Sequence, residues 1–222
     1  MSKKLSKQIS KKEVKTKIKN PSLIDKRRKQ IIEGALTVFK EKGFHSATVK
    51  EIAEKSGLTE GTLYNYIHSK QDIVYFVFDY VTNILREETQ KGIADIKDPQ
   101  ERLHTALRQN LSAIDKLKDR IMFLYRESAS LDKESLYVTL QRETEYIEFF
   151  EDLLRGYFKG KTVNENRLRI AADLLTYIPI IVTFRRWSLK RRVDSMDIAI
   201  QGILDFILCG IEFVHEVPGD NT

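Results

Sequence analysis

The stretch Thr48 to Lys70, TVKEIAEKSGLTEGTLYNYIHSK, limits what this chain can fold into more than any other. Its spacing predicts two short helices joined by a tight turn. Thr48 and Glu51 stand in the Thr-x-x-Glu arrangement, in which a hydroxyl and a carboxylate each satisfy a backbone N–H at a helix start. Val49, Ile52 and Ala53 then give one apolar face at helical spacing. Ser56-Gly57-Leu58 breaks that helix: Gly57 takes the left-handed conformation such a turn needs, and Leu58 drops back toward the core. Thr59 suits the cap of a second helix through Asn65. Ser69 begins a third, with Asp72 three residues on.

The second helix is unusual as a packing element. Leu63 is its only large aliphatic side chain. Thr59, Gly61, Thr62, Tyr64, Asn65, Tyr66 and His68 are small or carry hydrogen-bonding groups. A short polar face, with Gly61 permitting close approach, suits the major groove of DNA, where base edges present donors and acceptors. Two helices so joined form a helix-turn-helix, whose second helix enters the groove. The candidate DNA contacts are Thr48, Lys50, Thr59, Glu60, Gly61, Thr62, Tyr64, Asn65, Tyr66, His68 and Lys70. Tyr64 and Asn65 are expected on base edges, and Thr48, Tyr66 and Lys70 on phosphates. Threonine caps and a glycine turn also occur in any helical hairpin. Phe39, Phe44, Ile52, Leu58 and Leu63 are expected in the core.

The run GALTVFKEKGFHSATVKEIAEKSGLTEGTLYNYIHSKQDIV resembles the DNA-binding domain of the TetR family of bacterial transcriptional regulators. The resemblance spans about Asp25 to about Leu85. It is carried by Ala35 and Phe39 ahead of Gly43-Phe44, then Thr48, Ile52-Ala53, Gly57, Gly61-Thr62-Leu63-Tyr64, Tyr66 and Ser69-Lys70. It implies a dimeric, operator-binding protein. It also implies that the helix starting at Ser69 links two domains and relays ligand binding.

Charge supports a nucleic-acid partner. Residues 1–30 hold twelve Lys or Arg against Glu13 and Asp25, a net +10, so the rest of a +6 chain carries −4. Excess positive charge beside the helix-turn-helix is where phosphate would be met. Residues 1–24 read as a basic, flexible arm that adds salt-sensitive affinity on DNA. The 41% hydrophobic content supports a sizeable core, and the four prolines favour helices. The lone Cys209 cannot form an internal disulfide, the N-terminus lacks an apolar signal segment, and no run is long enough to span a membrane. A cytoplasmic protein without stable membrane association is expected.

The remainder reads as helices. Asp25–Lys42 has an apolar stripe ended by Gly43, and a wide stripe runs from Ser69 to about Gln90. Asp98 caps a helix with Pro99 in its first turn, continued by Leu103, Leu107, Leu111 and Ile114. Asp119–Ser130 is expected as a separate helix, and a longer one follows Asp132 to Gly156. Asn164 opens a helix to about Trp187, interrupted at Pro179. Asp194 or Ser195 caps the last, and no strands are expected.

The expected fold is all-α. A three-helix helix-turn-helix DNA-binding domain (25–85) precedes a helical ligand-binding and dimerisation domain (92–216). The last two helices are apolar on more than one face, so one face is expected to meet a second copy of the chain. The scattered His45, His68, His104 and His215 form no metal-ligand grouping, and no nucleophile motif is present. No catalytic residue, metal or cofactor is therefore expected, and the chain is not expected to be an enzyme. The second domain is rich in aromatic residues, which suits an apolar ligand pocket. Phe123-Leu124-Tyr125-Arg126-Glu127, with Arg186-Trp187 downstream, is similar to the ligand domain of the FadR-type subgroup. That resemblance implies a repressor of fatty-acid metabolism released from its operator by a small apolar or amphipathic effector, a long-chain acyl-CoA. The candidate ligand residues are Phe123, Arg126, Tyr146, Phe150, Tyr177, Phe184, Arg186 and Trp187. Two other readings compete: a small helical enzyme on lipid thioesters, and a membrane-associated adaptor using the basic arm.

Overall fold

The computed structural model describes residues 14, 16 and 18–215. Most of the basic arm lies outside them. Among the described residues the fold is all-α, with one isolated antiparallel bridge between Val163 and His215.

Helix α1 spans Pro21–Ser46. It starts ahead of the expected Asp25 because the Asn20 side chain accepts the Leu23 N–H and Pro21 occupies the first turn. Gly43 interrupts it with φ 79°, so Phe44 turns back into the core. Helix α2 is Val49–Lys55 and α3 is Glu60–Leu63. Helix α4 is Lys70–Gly92. Helix α5 runs unbroken over Pro99–Glu127, where two helices were expected. Nothing between Ile114 and Asp119 breaks a helix, and the buried Leu117 and Ile121 carry the apolar stripe through.

Helix α6 is Lys133–Tyr157 and α7 is Glu165–Tyr177. A 3-10 turn at Ile178–Ile180 holds Pro179, the expected breaker. Helix α8, Ile181–Phe184, and α9, Arg186–Arg192, are divided at Arg185. The single helix expected there is thus broken twice. Ser195 caps α10, Met196–Gly210.

The described chain packs as two units. The first holds the residues up to Tyr80 together with Phe123–Gln141, and the second holds Val81–Met122 and the residues from Arg142 onward. In the first, Ile31, Ala35, Phe39, Ile52, Leu63 and Ile73 form the core. Gly34 is needed there because a Cβ would fall 2.2 Å from the Ser56 hydroxyl. Val14 is also buried, and Arg28 donates to its carbonyl oxygen at 3.1 Å while stacking over the Phe76 ring. In the second unit, Leu103, Leu107, Leu111, Ile114, Phe150 and Leu154 are fully buried. No described helix is long and apolar enough to cross a membrane.

Candidate DNA interface

The helix-turn-helix is built by local hydrogen bonds that its sequence encodes. The Thr48 hydroxyl accepts the Glu51 N–H at 3.3 Å, and the Glu51 carboxylate accepts the Thr48 N–H at 2.9 Å. Lys42 pairs with the same carboxylate from α1. That hydrogen bond, joined by those from Thr48, holds the Glu51 carboxyl down at about 2. At the turn, Gly57 takes φ 65° and the Leu58 N–H donates to the Ala53 carbonyl at 2.9 Å. The Thr59 hydroxyl accepts the Thr62 N–H at 3.1 Å and so caps α3.

This architecture sorts the expected DNA contacts into two groups. Thr48, Lys50, Thr59, Glu60, Gly61, Tyr64 and His68 are exposed, and Thr62 and Asn65 are half-buried. Leu63 anchors α3 from beneath, fully buried. A Cβ on Gly61 would meet nothing within 4 Å, so neither packing nor backbone conformation demands glycine there. Absence of a side chain on an open surface is what close approach of another molecule requires.

Tyr66 and Lys70 have packing roles that the sequence reading did not assign. Tyr66 is 3% exposed. The Lys70 ammonium donates to the carbonyl oxygens of Phe44, Ala47 and His45 at 2.6, 2.8 and 3.1 Å and lies over the Phe44 ring. Desolvation lowers its pKa, and the negative Glu127 nearby raises it. At the other end of the same turn, the Asp72 carboxylate accepts the N–H groups of His68 and Ser69. An open groove beside α1 and α2 is lined by Lys26, Lys29 and Lys55 with Glu33 and Thr37. It adds positive potential to this unit.

The candidate ligand residues are spread out. Phe123 and Arg126 belong to the first unit, where Phe123 stacks on Phe39. In the second unit Tyr146 and Phe150 meet edge to face, 5.3 Å between centroids, in the core. Tyr177, Phe184 and Trp187 are exposed, and Arg186 pairs with Asp115. Sequence reading missed two polar neighbours of Tyr146. Its phenol donates to Asn110 Oδ1 at 3.0 Å and lies 3.4 Å from the Thr89 hydroxyl. All three are buried, and Asn110 Nδ2 has no hydrogen-bond partner. Leaving such a group unsatisfied costs about 1–3 kcal/mol. The signal was present: Asn110 falls on the apolar stripe of α5, between Leu107 and Ile114.

Comparison with known proteins agrees with this geometry. Residues 31–75 match the family model described as bacterial regulatory proteins, tetR family. The HTH-type transcriptional regulator HbdR of Aromatoleum sp. (strain CIB) is 28% identical over 177 residues, 80% of this chain and 75% of that one. A solved regulator of the TetR/AcrR family from Thermobifida fusca is 26% identical with TM-score 0.64, covering 82% of this chain and 97% of that one. The structure of AibR in complex with isovaleryl coenzyme A and operator DNA shares the fold at 19% identity and TM-score 0.63, covering 85% and 98%. Helix order, capped turn and these likenesses together mark residues 31–75 as a helix-turn-helix similar to that of the TetR/AcrR family of DNA-binding regulators, in an all-α chain of the same fold.

Proposed function

We propose that this chain is a DNA-binding transcriptional regulator of the TetR/AcrR type, a dimeric repressor that leaves its operator on binding a small amphipathic effector of the acyl-CoA class. The observation that carries the DNA half is α3: buried Leu63 beneath, and Thr59, Gly61, Thr62, Tyr64 and Asn65 at its surface or edge. Tyr64 and Asn65 read base edges. Thr48 and Lys50 meet phosphate, and residues 25–85 act as the DNA-binding domain.

Dimerisation through the last helices is supported by exposed apolar side chains at helical spacing. On α10 these are Ile198, Phe206 and Phe213 beyond its end, with Phe206 69% exposed. On α7 and α8 they are Ile170, Leu174 and Ile181. Burying such a face against its own copy sets two recognition helices on one duplex. The acyl-CoA class is supported by the aromatic core around Tyr146 and Phe150 and by the isovaleryl coenzyme A bound to AibR. Release is a population shift. An effector lowers operator affinity tenfold only if it favours the non-binding state by about 1.4 kcal/mol.

The test is a gel shift on DNA upstream of the protein's own gene, with and without a series of acyl-CoAs. A retarded band lost with one range of chain lengths supports the reading. A band insensitive to every member removes the effector class, and a band strengthened by one reverses the sign of regulation.

A further inference from the structure

Thr89 on α4, Asn110 on α5 and Tyr146 on α6 converge in the core of the second unit. Their proton inventory does not close. The Thr89 hydroxyl donates to the Leu85 carbonyl at 2.7 Å, and Tyr146 gives its one proton to Asn110 Oδ1. Both N–H bonds of the Asn110 amide are then left with no acceptor, at 0% exposure. Turning the amide end for end would strand its oxygen instead, so one polar atom lacks a partner in either orientation. The surroundings on α5 offer no relief, since Leu107, Leu111 and Ile114 are apolar and fully buried. A leucine at position 110 would complete that stripe, leaving the Tyr146 phenol to the Thr89 hydroxyl at 3.4 Å. Side chains from facing helices are how bundles build ligand sites in their cores.

We propose that Asn110, oriented by Tyr146 and Thr89, is a polar subsite that donates a hydrogen bond to the effector's carbonyl oxygen, the thioester oxygen of an acyl-CoA. This rests on the effector reading above and adds the atom that is recognised. A buried donor without an acceptor discriminates strongly between a ligand that supplies one and a ligand of equal shape that does not.

The experiment is calorimetric titration of the full-length protein with saturated acyl-CoAs from butanoyl to octadecanoyl, each paired with its S-alkyl thioether analogue, which lacks the carbonyl. The best-binding thioester should exceed its thioether by about tenfold or more. Asn110→Leu should equalise the pair. Should that variant not fold, the wild-type pair still decides. Equal affinity for thioester and thioether would mean that water alone fills the site, overturning the inference while the effector reading stands. Binding of no member of either series would overturn both.

Discussion

The Lys70 ammonium sits 2.6 Å from the Phe44 carbonyl oxygen, so the first residue of α4 caps the end of α1. Two further carbonyls share that charge, and the turn between α3 and α4 is fixed as a result. Lys70→Met should therefore lower stability by about 1–2 kcal/mol, the worth of charge-assisted bonds in a partly solvated place. It should weaken DNA binding through misplacement of α3. Denaturant unfolding beside a salt series of DNA affinities tests this. Unchanged stability, with the salt slope reduced by about one, would instead make Lys70 a phosphate contact.

Gly61→Ala isolates approach from folding. Alanine fits the helix, meets no atom and should raise stability by about 0.5–1 kcal/mol. Operator affinity should nevertheless fall at least about tenfold, because the methyl group lies on the surface proposed to enter the groove. Thermal melting and fluorescence anisotropy on one preparation give both numbers. Unchanged affinity would move the contact surface away from Gly61.

Glu51 gives the helix-turn-helix an acid limit. Its folded pKa is about 2, below the ordinary carboxylate value of about 4.3. A depressed pKa stabilises fully above the unfolded value and is lost as pH falls through the folded one. The stability advantage of wild type over Glu51→Gln should thus be constant above about pH 5 and shrink toward pH 2. Chemical unfolding at stepped pH measures it. An advantage that grows on acidification would contradict the capping role.

Phe123 stacks on Phe39 with centroids 4.9 Å apart and planes within 2°. The contact joins the last turns of α5 to α1 inside the first unit. Phe123→Ala should cost about 1–3 kcal/mol, below the figure for a fully buried ring because Phe123 is half-buried. Phe123→Leu should recover part of it. Equilibrium unfolding of the pair of variants checks both statements.

Much of this was legible before the fold was seen. Thr48, Glu51, Gly57 and Thr59 act within a few residues of themselves, so spacing alone gives their bonds. The packing role of Lys70 is not legible from spacing, because its partners lie more than twenty residues back, at the end of α1. The expected break before Asp119 is absent because the apolar stripe continues through the buried Leu117 and Ile121. Tyr146 was seen as aromatic pocket material, yet its partners on α4 and α5 depend on how three helices meet. Asn110 alone carried a local hint, a polar group on a stripe of leucines.

The central claim is that two copies of α3 read one duplex. Sedimentation of the protein with DNA from upstream of its gene, followed by footprinting, tests it most directly. Two chains per site, with protected half-sites about 34–36 Å apart, is the expected result. Phe206→Asp should yield a monomer and lose the footprint. A wild-type chain that stays monomeric and leaves duplex DNA unprotected at low ionic strength would contradict the account.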